Sequence, residues 1–450
     1  MASINEPREE PPTNVRWLMF SLACGTSWFL YLHRYAWNFI GPKLQQTYQF
    51  DNTSSGYVFG LFYLTYAIGQ VPSGMAIDFF GPHLFLGTSI ILWSISLIGF
   101  GLTGSLIGIG GLRLLFGAAQ AGCYPGLTKA TRVWFPFKTR TTIQGWVATA
   151  SGRSGGAMSS IILATVLMGW CKLSWQISIG IMGLAGVAFG LTFLALFRNS
   201  PVGHSGVNDA ERELIAEGES PRSLTGSLSW KRAIRSRSLF CFTIQQFMDA
   251  GSDVAFTFLI GKYFLERHQT SMASAGLLTS LPLWGGALGG IVGGWLNDVV
   301  IRKSGNRRWA RSSIGFVGKV IGCGMLFVAS WQDDAIVAGI ALFFAKFFSD
   351  WSQPTTWGTC TDMGGKCSAT VFSIINTAGT ISGIVMPIVF GKVLDWNTPL
   401  DELGKQMLSK TNWEPLFLLL AAMYLTSGIF WLLIDCTKSL DTKATEASHV

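Results

Sequence analysis

The sequence predicts an all-α membrane protein in which twelve transmembrane helices form two six-helix bundles. The chain has 450 residues, of which 49% are hydrophobic and only 13% are charged. That charged fraction is about half of the roughly 25% found in soluble domains. The mean hydropathy is +0.39. Gly (53 residues) and Trp (18 residues) are abundant, and both are typical of membrane proteins. These values exclude a soluble enzyme with a single buried core.

Twelve segments are long and apolar enough to cross a bilayer, which takes roughly 20 mostly apolar residues. We number them as spans 1 to 12, and their predicted ranges are 16–41, 55–78, 83–104, 108–133, 142–168, 175–197, 238–263, 272–299, 312–331, 335–360, 368–394 and 413–435. The longest polar stretch follows span 6. It divides the chain into an N-terminal bundle (1–200), a central cytoplasmic loop (201–237) and a C-terminal bundle with a short cytoplasmic tail (238–450).

Lys and Arg are distributed unequally between the two ends of the spans. Twenty of the 33 lie on the side of the termini, seven on the other side and six within spans. Because cytoplasmic loops carry the excess of positive charge, we expect both termini in the cytoplasm and a multi-pass protein in the cell inner or plasma membrane. The same distribution accounts for the net charge of +8 without a nucleic-acid partner.

Signals for a metal, a cofactor or an enzyme are weak. The eight Cys residues are scattered along the chain, which does not fit a metal or disulfide framework. The sequence contains no P-loop and no H-E-x-x-H motif. We therefore expect no metal, no cofactor and no enzymatic activity.

The two halves repeat a short motif after their second span. Gly74 precedes Asp78 by four residues in GMAIDFFGPH, and Gly294 precedes Asp298 by four in GGWLNDVVIRKSGNRR. Parallel six-helix halves with a central site are the arrangement of one large class of transporters.

Together, these features resemble the major facilitator superfamily. Five stretches further resemble its anion:cation symporter branch, which includes sugar-acid permeases, such as hexuronate carriers, and sialin-like carriers: YLHRYAWNFIGP, QVPSGMAID, RLLFGAAQAGCYPG with WFP, GRSGGA, and PVGHSGVNDAERELI. The resemblance covers nearly the whole chain. It implies the major facilitator fold and transport of a small organic anion by alternating access.

Ionisable residues within spans are costly and usually face a cavity or a partner. Arg34 in span 1 offers a fork of N–H donors that matches a carboxylate, and the resemblance implies that it binds the substrate anion. A snorkelling or structurally paired Arg34 is the alternative. For Arg113 in span 4 the resemblance implies a coupling network, and the alternative is a structural contact between spans. We also expect Arg113 or Arg153 to help Arg34 bind the substrate carboxylate. The resemblance also implies that Asp78, Asp298 and Arg302 gate the cytoplasmic side.

Two residues depart from the branch pattern where its symporters commonly carry acids. His33 stands where Asp usually precedes the arginine of span 1, and Gln120 stands where span 4 usually has Glu. Gln cannot carry a proton, whereas His titrates near neutral pH. Either His33 or another group couples transport to a cation, or the carrier uses no proton gradient.

Span 7 offers other coupling candidates. Asp249 and Asp253 are four residues apart and share one helical face, so that they could bind a cation or share a proton. The alternative is that one of them pairs with an arginine across the cavity, and the candidates are Arg34, Arg113 and Arg153.

Further residues have two interpretations each. Arg153 in span 5 is either a third anion ligand or a packing residue among Gly and Ser, which permit close helix approach. Lys346 and Asp350 in span 10 are four residues apart and are expected to pair. Asn376 in span 11 either binds substrate hydroxyls or forms a hydrogen bond between helices. Some aromatic residues could line a sugar cavity or simply pack, namely Tyr31, Tyr35, Trp37, Tyr63, Tyr66 and Trp284.

The sequence therefore predicts a secondary transporter of small organic anions, preferably sugar acids such as hexuronates or aldonates, with H⁺ or Na⁺ as the coupled cation. A phosphate-ester or organic-anion exchanger or uniporter without proton coupling is the alternative. A non-transporting sensor of the same fold ranks below both. We expect a monomer in the lipid bilayer.

Overall fold

The computed structural model describes residues 11–202, 204–217, 230–365, 368–401, 407, 410–438 and 440. These residues are almost entirely helical, and their helices form the twelve predicted spans. The predicted fold class is thereby confirmed.

The helices of the first half are Val15–Tyr35 and Trp37–Tyr48 in span 1, Asn52–Leu102 in spans 2 and 3, Leu106–Ala121 and Cys123–Trp134 in span 4, Phe137–Gly145, Trp146–Ser151, Gly152–Ser160 and Ile161–Trp170 in span 5, and Trp175–Leu196 in span 6. Gly81 has a φ of +78° and separates span 2 from span 3, a backbone conformation that favours glycine. Two segments of span 5, Trp146–Ser151 and Ile161–Trp170, are π-helical. Such segments shift the direction of the side chains between them.

The helices of the second half are Arg237–Phe258 and Ile260–Glu266 in span 7, Met272–Ser304 in span 8, Arg307–Trp331 in span 9, Ala335–Ser349 and Ser352–Gly364 in span 10, Ser368–Trp396 in span 11, and Glu414–Leu433 in span 12. Two short helices, Asp209–Ala216 and Trp230–Arg235, lie between the halves. Gly305 ends span 8 with a φ of +65°.

Eight helical segments of the described chain are long and apolar enough to cross a bilayer, and they correspond to spans 3, 4, 6 and 8 to 12. Spans 1, 2, 5 and 7 carry polar residues or helix breaks instead. Polar residues in a membrane protein usually face its interior or a water-filled cavity, so these four spans are expected to line the centre of the molecule.

Each half packs as a bundle. In the first half span 2 packs on span 4, span 3 on span 6 and span 1 on span 5. In the second half span 9 packs on span 12, span 8 on span 10 and span 7 on span 11. Across the two bundles span 2 packs on span 11, and span 5 on span 8. The cross-bundle contacts therefore define two seams that flank the centre.

We call the end of the molecule that holds Val15 and Leu433 the terminal face, and the other end the opposite face. Close contacts between the bundles lie in the opposite half. A Cβ placed at Gly60 of span 2 would lie 3.2 Å from the backbone oxygen of Ile384 in span 11. The Asn38 amide donates to the Phe256 backbone oxygen at 2.9 Å. The structure is therefore a conformation closed at the opposite face.

A carboxylate completes this closure. Asp395, near the end of span 11, accepts hydrogen bonds from the backbone N–H groups of Asn52 at 3.0 Å and Thr53 at 2.8 Å, the first two residues of span 2. It also accepts from both of their side chains. An acid at this position satisfies unpaired N–H groups and interacts favourably with the helix dipole. The buried Lys262 ammonium adds a second polar link, since it donates to Gln45 at 2.6 Å and contacts Asn52.

We predict that the substitution Asp395→Asn opens the opposite face. The variant loses the charge of a cap that joins the bundles, and its amide NH₂ faces N–H donors. The closed conformation is therefore expected to lose about 1.5–3 kcal/mol of stabilisation. Pulsed EPR between spin labels at the exposed positions Gln46 and Trp396, in a chain with the exposed Cys171 replaced, would show a new longer distance.

Asp51→Asn is the matched control for this experiment. Asp51 caps the same helix, accepting from the Ser54 N–H at 2.7 Å, but it lies in the same bundle as that helix. The control is expected to keep the wild-type distance distribution. If Asp395→Asn also keeps it, the cap does not hold the face closed.

Candidate functional site

Arg34 is the centre of the candidate anion site. Its Nε and Nη2 atoms donate to the Gln120 side-chain oxygen at 3.1 and 3.0 Å. Its guanidinium carbon lies 5.2 Å from the ring centre of Tyr31, 4.8 Å from that of Phe62 and 5.1 Å from that of Tyr66. The partner is a neutral amide, so the charge of Arg34 is not cancelled, and its Nη1 edge is left for a further acceptor. We call Tyr31, Arg34, Tyr66 and Gln120 the anion pocket.

Arg113 lies behind the anion pocket and is 1% exposed. Its guanidinium carbon is 4.1 Å from the ring centre of Trp37, 4.8 Å from that of Phe59 and 5.2 Å from that of Phe62. Its Nε and Nη2 atoms have no hydrogen-bond partner in the described chain. Aromatic faces attract the cation but do not neutralise it. Arg113 therefore adds uncompensated positive charge near Arg34.

The tyrosines of span 1 connect the anion pocket to span 5. The rings of Tyr31 and Tyr35 stack with their centres 5.9 Å apart. A Cβ at Gly152 would lie 3.0 Å from the Tyr31 ring, and one at Gly156 would lie 3.3 Å from the Tyr35 ring. The glycines of GRSGGA thus let span 5 approach span 1, as predicted. They place Arg153, on the same helix as both glycines, near the two tyrosines.

His33 lies apart from these residues. It is 2% exposed, and its Nε2 atom contacts the backbone oxygen of Met182 in span 6 at 3.1 Å. Its ring packs edge-on against Phe29. Neighbouring residues on a helix point about 100° apart, so Arg34 faces the anion pocket while His33 faces span 6. The structure does not bring His33 together with the other candidate residues.

The second bundle holds a set of buried acids and bases. Asp249 pairs with Lys319, whose Nζ atom also donates to the Ser349 hydroxyl at 2.6 Å. Asp253 pairs with Lys346. The predicted pair of Lys346 and Asp350 is confirmed, with 2.8 Å between Nζ and Oδ1. Lysines are therefore the close partners of Asp249 and Asp253, in place of the arginines considered from the sequence.

Arg153 joins this set from the other bundle. Its Nη2 atom lies 2.6 Å from Oδ2 of Asp350, an ion pair that crosses between spans 5 and 10. Asp253, Lys346, Asp350 and Arg153 form one chain of ion pairs, and Asp249 with Lys319 forms a separate pair near it; we call these three acids and three bases the charge network: Arg153, Asp249, Asp253, Lys319, Lys346 and Asp350. With all six groups ionised their charges cancel, unlike those of Arg34 and Arg113.

The remaining predicted site residues are more peripheral. Asn376 is half-buried in span 11, and its backbone oxygen accepts from the Thr380 hydroxyl at 3.0 Å. Asp298 and Arg302 are exposed at the terminal face, with no ion pair recorded within the described chain. The side chain of Asp78 lies outside the described part. At that face Arg311 instead lies 2.8 Å from Asp362.

Sequence reasoning missed Lys319 and Asp395. Lys319 could have been singled out in the same way as the other charged residues within spans, because it is the one cation in the apolar range predicted for span 9. Its partner could not be identified because spans 7 and 9 are far apart in the chain. Asp395 lies at a predicted span end, where an acid is ordinary, and only the fold shows that it caps a helix of the other bundle.

Comparison with known proteins places the chain in a defined context. The profile of the Major Facilitator Superfamily matches residues 22–387. Among curated relatives, the probable sulfoacetate transporter SauU of Cupriavidus necator is 26% identical, over 84% of this chain and 87% of the relative. The probable galactarate/D-glucarate transporter GudP of Bacillus subtilis is 29% identical, over 85% of this chain and 86% of the relative.

Solved structures agree on the fold. A bacterial homologue of the human lysosomal transporter Spinster, crystallised in an inward-facing and unoccupied conformation, superposes with a TM-score of 0.77 at 16% identity, over 93% of this chain and 97% of that chain. The nucleoside transporter NupG gives a TM-score of 0.66 at 14% identity, over 93% and 98% of the two chains. At such identities the likeness concerns the fold alone.

We predict that Asp249 and Lys319 stabilise the structure only when both side chains are present. The side chains are 1% and 0% exposed, so removing one leaves an uncompensated buried charge, at a cost of about 3–5 kcal/mol. Asp249→Asn and Lys319→Met should each lower the thermal unfolding temperature in detergent. The double variant should recover most of that loss.

The exposed pair of Arg267 and Asp333, whose side chains are 42% and 88% exposed, provides the control. Breaking it with Asp333→Asn should cost at most about 1 kcal/mol. Equal unfolding temperatures for wild type and Lys319→Met would contradict the prediction.

Proposed function

The chain belongs to the major facilitator superfamily, whose members span the membrane and transport solutes, and we propose that it carries small organic anions bound at Arg34. One observation supports this most directly. Two guanidinium groups lie inside the spans of one bundle, and within the described chain neither has an acidic partner. Buried charge without compensation is costly, and an anionic substrate would supply the missing charge.

The geometry favours a carboxylate. Gln120 takes the Nε side of Arg34, so the second N–H of Nη2 and those of Nη1 form an edge that matches two carboxylate oxygens. The rings of Tyr31 and Tyr66 lie beside this guanidinium, and Tyr35 stacks on Tyr31. Such groups suit a substrate that bears several hydroxyls. We therefore favour sugar acids such as hexuronates and aldonates.

The relatives support the same substrate class. Their names specify carriers of sulfoacetate and of galactarate or glucarate, and a further relative, 24% identical over 77% of this chain and 82% of its own, is the D-galactonate transporter of Escherichia coli. All four of these compounds are organic anions. We propose that this chain couples the uptake of such anions to a cation. The alternative is an exchanger or uniporter without proton coupling. Gln120 favours the alternative, because an amide cannot carry a proton.

The mechanism that we propose is alternating access. The contacts of the opposite face would open while the terminal half closes, and the anion would neutralise Arg34 during the exchange. From the excess of Lys and Arg on the terminal side, we propose that this side is cytoplasmic and that the protein resides in the cell inner or plasma membrane. One chain holds both bundles and the whole site, which fits a monomer.

The experiment that tests this function is uptake into proteoliposomes. Radiolabelled glucarate, galactonate and sulfoacetate would be supplied to liposomes that contain the purified chain, with the pH gradient and the membrane potential imposed separately. We predict that Arg34→Ala lowers uptake at least 100-fold, because a charge-assisted bidentate contact is lost, and that Arg34→Lys recovers only part of it.

Arg267→Ala is the control for a general loss of charge, since Arg267 is exposed at the opposite face. It should transport at the wild-type rate. Near-normal uptake by folded Arg34→Ala would overturn the proposal, as would a wild type that transports no member of the panel.

We further predict that Gln120→Glu makes anion binding depend on pH. The introduced carboxyl group would accept the same two hydrogen bonds from Arg34 and, when ionised, would cancel its charge. Protonation at low pH would restore a neutral partner. The affinity of the variant relative to wild type, measured by counterflow or calorimetry with glucarate at pH 5.5 and pH 8, should therefore fall about 10-fold or more as pH rises. A constant ratio would show that Gln120 does not set the charge of the pocket.

A further inference from the structure

We propose that Asp253 binds the coupled proton, and that its protonation weakens the Arg153–Asp350 ion pair that joins the two bundles. This inference rests on the proposed function and assigns the coupling to a particular group. It places the anion site in one bundle and the proton site in the other.

The anion pocket itself offers no group for the proton. Gln120 does not titrate. His33 is 2% exposed, contacts the Met182 backbone oxygen and packs against Phe29, so it has no contact with the pocket. The acids that the described chain places at the centre of the molecule are those of the charge network.

Asp253 is the acid of the network that water reaches. Its side chain is 30% exposed, compared with 1% for Asp249 and 0% for Asp350. It has one close cationic partner, Lys346, whereas Asp350 contacts two cations. Asp249 is enclosed by Lys319 and lies 3.5 Å from the Gln353 amide. A proton can therefore arrive at and leave Asp253 without unpacking the core.

Charged and titratable groups from five other spans face Asp253 in addition to Asp249 on its own helix. They are Tyr35 of span 1, Arg153 of span 5, Lys319 of span 9, Lys346 and Asp350 of span 10, and Tyr424 of span 12. The bases hold Asp253 ionised while the site is empty. Asp249 and Asp350 oppose this, and so would any change that weakens the contact of Asp253 with Lys346.

Protonation changes the charge of the network by one. A proton from water forms an O–H bond on the Asp253 carboxyl group, while Lys346 keeps its own proton and stays with Asp350. Two acids then face three bases, and the network becomes positive. An added anion interacts more favourably with this state than with the neutral one. By reciprocity, a bound anion favours protonation to the same degree.

Arg153 transmits this change as a positioning residue. Asp350 is shared between Arg153 and Lys346. When Asp253 is protonated, Lys346 interacts with Asp350 alone and competes more strongly with Arg153 for it. Arg153, whose helix packs on Tyr31 and Tyr35 through Gly152 and Gly156, becomes available for the anion. A link that holds the bundles in this conformation is thereby weakened.

Sodium fits the network less well than a proton. A sodium site needs several oxygen ligands without bound cations, but the close partners of Asp249, Asp253 and Asp350 are ammonium or guanidinium groups. Within the described chain no group of three or more acidic, His or Cys residues is placed to hold a metal ion. The charge network therefore fits a proton.

The test compares exchange with accumulation for Asp253→Asn in proteoliposomes, with glucarate as the probe and the membrane potential clamped at zero. In wild type, an inward acid gradient of one pH unit should drive about 10-fold accumulation per coupled proton. Asp253→Asn should exchange labelled for unlabelled glucarate within about fivefold of wild type. It should accumulate none above equilibrium, and its exchange should no longer vary with pH. A pH dye inside the liposomes should report proton entry with glucarate for wild type only.

Two further variants complete the test. Asp333→Asn removes an exposed acid at the opposite face and should behave as wild type. Asp253→Glu keeps a titratable group and should keep gradient-driven accumulation with a shifted pH profile, which a merely structural role of Asp253 would not produce. This variant carries the test if Asp253→Asn does not fold.

The outcomes separate this inference from the proposed function. Accumulation by Asp253→Asn, or wild-type exchange that ignores the pH gradient, would overturn the proton site while leaving anion transport intact. Loss of both exchange and accumulation in folded Asp253→Asn would also overturn it, since Asp253 would then serve binding or structure. If the wild type exchanges none of the panel anions, the proposed function is overturned instead.

Discussion

The cost of charge inside a bilayer is the constraint on which this structure depends. Each ionised side chain within a span needs a counter-charge, a water-filled cavity or a ligand. The acids of the second bundle meet this requirement through ion pairs, since Asp249 and Asp253 face lysines and Asp350 faces both Lys346 and Arg153 of the first bundle. The first bundle does not, because Arg34 has a neutral amide partner and Arg113 has aromatic rings. The acids at the centre are thus all paired, whereas Arg34 and Arg113 have no acidic partner within the described chain.

The two faces use different means of contact. At the opposite face, close backbone approach and the cap formed by Asp395 hold span 2 against span 11. These contacts are polar or involve glycine, and an aromatic contact between Phe59 of span 2 and Phe258 of span 7, with ring centres 4.8 Å apart, adds to them. At the centre, the pair of Arg153 and Asp350 crosses between the bundles. A charge change at that pair can therefore alter the stability of the closed face without any contact to Asp395.

Features that depend on residues close together in the sequence were predicted, and features that depend on residues far apart in the sequence were not. Hydropathy is local, and it predicted all twelve spans. The pair of Lys346 and Asp350 is one helical turn apart, and it was predicted correctly. The pair of Asp249 and Lys319 depends on how spans 7 and 9 are rotated, which no local pattern specifies. The same limit applies to His33 and Arg34, because adjacent residues in an apolar helix give no signal of which one faces the cavity.

The substitution of an acid by Gln120 has a consequence for the whole carrier. An acid beside Arg34 would make the anion site charged only when protonated, so that binding and coupling would occupy one place. A neutral amide keeps the site charged at every pH and separates the two tasks. In the proposed mechanism the separated tasks need a connection between the bundles, since a proton bound in one would have to affect an anion bound in the other. We propose Arg153 as this connection, because its helix packs on Tyr31 and Tyr35 through Gly152 and Gly156 while its guanidinium contacts Asp350 of the charge network.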